Sequence, residues 1–286
     1  MIAASVLALP YFSTAQARRA GASTFDLCAA VDAGRLTRLK RGWFTGQPLS
    51  WPADRHRLRV QIELRERPTV VASHYSGAVL AGLPVHRPDW NTVHLMRIAR
   101  GAAACRRNLV IHTHTRVVAD QALALVIAQT GLLCPISGLM ALDAALADDR
   151  VTRADLVAVA ALLAGRPGHS RLETITRLGD ARRESPLESW TALTYDTWGL
   201  RLQPQFAVPG TAYRADARIV GTNVLVESDG AVKYDSRDAL LAKKRREDDL
   251  RAAGWQVVRV TQDLLSQPAR LLARTTAAVR RSINTG

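Results

Sequence analysis

A mixed α/β chain, α+β overall and built in three parts, is what the sequence predicts. Two observations carry that reading. Amphipathic stretches with capped starts recur along the 286 residues, and short alternating or β-branched runs lie between them. The hydrophobic share is 48% and the charged share 22%, as in chains with ordinary cores, and with 5% aromatic residues those cores are largely Leu, Val and Ala. The length suits two domains, or one with an appended module. The expected division is 1–50, a helix–turn–helix part; 51–180, an α/β connector; and 181–286, a mixed sheet flanked by helices.

Lysine and arginine number 39 against 25 acids, a formal charge of +14. That excess favours a polyanionic partner, because neutralising phosphates releases condensed counterions; an arginine-rich genome is the competing explanation. Cys28, Cys105 and Cys134 are widely spaced and lack a C-x-x-C pair. They are expected to be small buried hydrophobes in a reducing compartment. The opening "MIAASVLALPYF" has no basic flank and is too short to span a bilayer. It reads as a helix of the first domain, with a weak signal peptide as the alternative, and the expected location is cytoplasmic, with no membrane partner.

At the N-terminus, "STAQARRAG" offers a capped helical turn closed by Gly21. "STFDLCAAVDAGRL" follows, with Ser23 or Thr24 as N-cap, an apolar face of Phe25, Leu27, Cys28 and Val31, and Gly34 as its stop. "RLTRLKRGWFTG" then alternates as a short hairpin. Helix, turn, helix and basic hairpin is the order of a winged helix–turn–helix, whose second helix enters a major groove while the wing touches phosphate. Arg35, Arg38, Lys40 and Arg41 would sit on the wing, or on a merely solvated basic turn. The stretch Gly34 to Phe44 resembles the N-terminal winged-helix segment of AbiEi-like, type IV antitoxin proteins. That resemblance covers roughly the first fifty residues and implies DNA binding and autorepression.

Between residues 51 and 180, "DRHRLRVQIELRER" and "SHYSGAVLAGLPV" read as helices, and "TVHLMRI" and "NLVIHTHTR" as strands. "SGLMALDAALADD" reads as a helix with Ser137 near its cap. His112 and His114 would share one strand face, where His74, His86 or His94 could complete a metal site; hydrogen-bonded histidines are the ordinary alternative. "VTRADLVAVAALLAGRPG" and "HSRLETITRLGDARR" are expected as a helical-hairpin spacer, with a domain boundary near Asp180.

After Ser185 the signals tighten. "SPLESWTALTYDTWGL" carries Ser185 at N-cap, proline at N1 and Glu188 at N3, a predicted capping box. "QPQFAV", "YRADARIV", "NVLVES" and "WQVVRVT" read as strands, and residues 236–254 as a helix. Asp216 and Glu227 lie eleven positions apart, which suits adjacent strands joined by a turn at Gly221. Paired carboxylates of this kind suit a hard divalent ion in phosphodiester hydrolysis. An arginine across the sheet would satisfy Asp216 equally well.

In their order, "SPLES", "YRADARIV", "VESDGAVKY", "AKKRRED" and "LRAAGWQVVRVT" resemble the Vsr-like (very-short-patch-repair) endonuclease domain of actinobacterial proteins. That domain has the restriction-endonuclease-like PD-(D/E)xK fold. The resemblance implies Mg²⁺ or Mn²⁺ held by Asp216 and Glu227, with Asp229 as a further ligand or outer acid. It implies that Glu188 orients a metal-bound water, a role competing with its cap. The family lysine two places after the second acid is replaced here by Asp229. Lys233 is the nearest substitute, counted with the catalytic set, and Lys243, Lys244 and Arg245 are others; Lys243 and Lys244 would also face DNA, or form i,i+4 pairs on a solvated face. The expected function is a DNA-binding protein with a metal-dependent endonuclease-like domain. The alternatives are an antitoxin or transcriptional autorepressor with an inactive nuclease-like domain, and a module that neutralises a cognate toxin protein.

Overall fold

The computed structural model describes residues 2–230, 245–246 and 248–284. The chain divides into two compact units: one runs to Gly82 and includes Arg87–Arg116, the other takes Leu83–His86 and the chain from Val117 onward. The mixed α/β class holds in both. The boundary expected near Asp180 falls inside the second unit.

The first unit begins with α1 (Ala4–Leu7), β1 (Phe12–Ser13), α2 (Thr14–Arg19), α3 (Thr24–Asp32), β2 (Thr37–Lys40) and β3 (Trp43–Thr45). Ser13 and Ser23 each close a capping box, with Gln16 and Asp26 respectively. Gly34 stops α3 at a φ of +68°, and the three strands pair in the order β1-β3-β2. The apolar face of α3 is Leu27 and Ala30, which join Phe12, Ala17, Leu36 and Phe44 in one core. Phe25 is 81% exposed, and Cys28 and Cys105 are exposed too, against the expectation that they are buried. The reason is helical phase: Phe25 and Cys28 are three apart and so share a stripe of their own, turned away from Leu27.

Helix α4 (Pro52–Glu66) packs on two sides. In "LRVQIEL", Leu58 and Ile62 meet Leu39, while Val60 and Leu64 meet Val70, Val93, Leu95 and Leu109. The alternation that resembles a strand is thus two i,i+4 stripes on opposite helix faces. The second cluster belongs to a sheet of β4 (Val70–Ala72), β5 (Val93–Arg97), β7 (Leu109–His112) and β6 (Ala104–Arg106), in that order, with β5 and β7 parallel. Helix α5 (His74–Leu80) lies against β5. Strand β7 ends at His112, so His114 falls beyond it; its Nδ1 lies 3.0 Å from the Arg97 carbonyl oxygen.

In the second unit, α6 (Ala122–Leu133), α7 (Pro135–Ala147), α8 (Arg153–Leu162) and α9 (Ser170–Leu178) pack together, so the last two are part of a core and not a free spacer. Helices α6 and α7 approach through Gly131 and Gly138: a β-carbon on Gly138 would lie 2.5 Å from the Gly131 Cα. Ser137 does not cap α7; it is buried and accepts the His86 backbone N–H at 2.9 Å. Helix α10 (Pro186–Asp196) covers a sheet of β8 (Leu202–Ala207), β9 (Arg214–Ile219), β10 (Val224–Ser228) and β11 (Gln256–Val260). Its order is β11-β10-β9-β8, with the β10–β11 pair parallel. One core gathers Ile219, Val226, Val258 and Val260 with Trp190, Tyr195 and Leu271; another gathers Phe206, Leu225, Leu250 and Trp255. Among the described residues no helix is long and apolar enough to cross a membrane.

Asp143 of α7 locks this unit together. It is buried and accepts from Arg183 Nη1, Ser189 Oγ and the Asp180 N–H, each at 2.7 Å. Burial pushes its carboxyl up and the Arg183 guanidinium pulls it back. Three donors converging on one carboxyl suit the ionised, acceptor-only form.

Candidate carboxylate site and histidine cluster

Strands β9 and β10 pair antiparallel with Leu225 opposite Arg218 and Val226 opposite Ala217. The same register carried one residue further sets Glu227 beside Asp216. The Ser228 N–H donates to Asp216 Oδ2 at 2.7 Å, which ties the two strand ends together at the acids. Glu188 enters from α10 and is buried.

The expected capping box on α10 is only half formed. Ser185 accepts the Glu188 N–H, but Glu188 Oε2 takes the Glu184 N–H at 3.2 Å and Gln205 Nε2 at 3.0 Å. Gln205 has a φ of +52° within β8, a backbone that non-glycine residues seldom adopt inside a strand. That turn of the backbone delivers its amide to Glu188. Strain of this kind gathers at functional sites.

Burial raises the carboxyls of Glu188 and Asp216, and raises Glu227 to about 7. The neighbouring acids add to the shift of Glu227, while Arg246 opposes it. Arg246 Nη2 donates to Glu227 Oε1 at 2.9 Å and to the Arg214 carbonyl at 2.7 Å. Asp229 pairs instead with Arg259 at 3.1 Å. Among the described residues, the carboxyls therefore gather with arginines at their edge.

The other expected residues sit as follows. Arg35, Arg38 and Arg41 are exposed around β2 and β3. Lys40 is not presented to solvent in the same way: it binds Glu63 at 2.5 Å and Glu66 at 2.8 Å, a correction to its place on a phosphate-contacting edge. Lys233, Lys243 and Lys244 lie outside the described residues. Gln205 and Arg246 carry no sequence signal beyond "QPQF" and the basic run "KKRR", and only the fold brings them to the acids.

A second cluster lies in the first unit. His74, His94 and His112 each offer a ring nitrogen, and these nitrogens lie within 4.8 Å of one another. Among the described residues no three acids draw together this closely. His94 Nδ1 is 3.0 Å from His112 Nε2, and the rings of His74 and His112 stack with centroids 3.7 Å apart. Burial, then the charge of His112, lowers His94 to about 4.

No family model, curated protein or solved structure matches this chain. The functional reading therefore rests on the geometry of its own residues.

Proposed function

We propose that the chain is a DNA-acting protein whose second unit hydrolyses phosphodiester bonds with the help of a divalent cation. The observation that carries this reading is the meeting of Asp216 and Glu227 at the ends of adjacent strands, with Glu188 close behind. Three carboxyls raised together, at the end of a buried sheet, form a donor set suited to Mg²⁺ or Mn²⁺. Asp216 and Glu227 would hold the ion, which supplies polarisation of a phosphoryl oxygen and a bound water of lowered pKa. Glu188, fixed by Gln205, would orient water on the α10 side, and Arg246 would supply positive charge beside the phosphate, in the role of the lysine missing at Asp229.

The test is plasmid nicking or cutting by the purified chain with Mg²⁺ or Mn²⁺. Loss of at least about 100-fold in rate is expected for Asp216→Ala and for Glu227→Ala, as for removal of a group that stabilises transition-state charge. Activity that persists in both variants, or is absent from the wild type with either metal, sinks the nuclease reading.

The same reading gives the first unit a role in duplex binding, in the manner of a winged helix. Helices α2 and α3, the exposed outer stripe of α3 and the basic β2–β3 hairpin are the features that favour it. Neutralising Arg35, Arg38 and Arg41 together is expected to weaken binding to any duplex and to flatten the salt dependence by roughly three counterions, at about 0.9 per phosphate contact. Lys40→Met should leave that slope unchanged. Fluorescence-anisotropy titrations across salt concentrations check this, and an unaltered slope in the triple variant refutes the wing assignment.

A second reading, an autorepressor or antitoxin whose nuclease-like unit is inactive, draws on the Arg246–Glu227 ion pair, which compensates the acid without any metal. Promoter footprinting without cleavage would favour it.

A further inference from the structure

We propose that His74, His94 and His112 form a binding site for one borderline transition-metal ion of the zinc class, with a fourth position left for water or an exogenous ligand. The site belongs to the first unit and does not depend on the carboxylates of the second.

The fold builds this cluster in stages. In the parallel pair β5–β7, Met96 stands opposite His112, so His94 and His112 are diagonal neighbours on one sheet face. Val93, Leu95, Leu109 and Ile111 take the other face and join the α4 core. The start of α5 is then pinned over the histidine face. The Ser73 N–H donates to the His94 carbonyl at 3.1 Å, and Ser76 Oγ accepts the His94 N–H at 2.8 Å. His56 Nε2, 3.0 Å from the same Ser76 oxygen, fixes that hydroxyl in turn.

Held at both sides, His74 has a φ of +50°, a left-handed backbone uncommon outside glycine, and its ring lies over His112. The residue is buried, 5% exposed. Ser73 Oγ, 3.0 Å from His74 Nδ1, is placed to orient that ring from outside, as the outer partners of metal-bound histidines do.

The distances suit a metal. Tetrahedral zinc with Zn–N bonds of about 2.0–2.1 Å keeps its imidazole nitrogens about 3.3 Å apart. His94 Nδ1 and His112 Nε2 are already 3.0 Å apart, and all three nitrogens lie within 4.8 Å of one another. A small movement of the third ring closes the set. Three imidazoles and no carboxylate select zinc, cobalt, nickel or copper over magnesium and calcium, which prefer oxygen. Three protein ligands leave a fourth position open, the pattern of sites where zinc meets a water.

The test uses the full chain, stripped with a chelator and titrated with Zn²⁺ by calorimetry and with Co²⁺ by visible absorption. With excess Mg²⁺ present to fill the carboxylate site, one ion per chain is expected, with the cobalt bands of a four-coordinate site. His94→Ala and His112→Ala should each lose more affinity than the roughly 10–100-fold that removal of an outer partner costs. His114→Ala should bind as the wild type does. X-ray absorption of the zinc-loaded wild type reports ligand type without any variant, and imidazole nitrogens are expected. No uptake by the wild type, unchanged uptake in both variants, or a shell of oxygen or sulfur without imidazole overturns the proposal.

Discussion

Replacing Asp143 by alanine is expected to destabilise the chain by about 3–5 kcal/mol, because the substitution leaves Arg183 charged and buried without its counterion. The two side chains are 2% and 6% exposed and 2.7 Å apart. Ser189 and the Asp180 N–H lose an acceptor at the same time. Among the described residues, the Arg183 guanidinium would be left with its bond to the Leu178 carbonyl, at 2.9 Å.

The double replacement Asp143→Leu with Arg183→Met is expected to recover most of that loss, since a buried pair exchanged for apolar groups of similar volume is often neutral or stabilising. Urea unfolding at constant slope measures both. A loss under about 1 kcal/mol for the single variant would mean that water reaches Arg183, and the locking role would fall. Asp143 also fixes Arg183 and Ser189, which precede and follow Glu188 along the chain. The single variant should therefore disturb the carboxylate site as well as the fold.

Glu227→Gln is expected to stabilise the chain at pH 8 and to leave it unchanged near pH 4. The folded chain holds the Glu227 proton until about 7, against an ordinary 4.5. A raised carboxyl favours the fold while neutral, so its contribution is complete below pH 4.5 and is lost as the pH rises through 7. The gap between variant and wild type should open across that window and reach on the order of 1–3 kcal/mol. Asp216 and Glu188 are raised as well, so the wild type should lose further stability as the pH rises above their ordinary carboxyl range.

A divalent cation bound at the acids would remove the penalty. Mn²⁺ should accordingly raise the melting temperature of the wild type at pH 8 more than at pH 5, and should act little on Glu227→Gln. Thermal unfolding at several pH values checks each part. Parallel curves for wild type and variant from pH 4.5 to 8 would contradict the buried, raised carboxyl assigned to Glu227.

Much of this architecture is legible in the sequence because local chemistry decides it. Ser23 with Asp26, Gly34, Pro186 and the turn at Gly221 each satisfy or redirect backbone groups within a few residues, and the structure uses each in that way. The pairing of β9 with β10, which joins Asp216 to Glu227, follows from two apolar runs separated by a tight turn.

What the sequence does not disclose depends on contacts distant along the chain. Lys40 reads as a free basic residue until α4 brings Glu63 and Glu66 to it. Glu188 reads as the second half of a capping box until the left-handed Gln205 offers a different partner. Asp143 and Arg183, forty positions apart, have no periodic signal to link them. The histidines are visible singly, but His74 joins the others through a left-handed helix start that no local pattern in the sequence announces.

The two-sided packing of α4 bears on how the N-terminal region could be handled as a fragment. Leu39, Trp43 and Tyr11 lean on Leu58 and Ile62, and Lys40 takes its counterions from the same helix. A chain cut after residue 50 would expose that apolar surface and strand a cation, so it is no self-sufficient cassette. Because Val60 and Leu64 are committed on the reverse side to the second sheet, excision at the end of α4 would only move the wound. A fragment that keeps both faces of α4 covered must run on through β7, and melting of that second sheet would be felt at the hairpin proposed to grip phosphate.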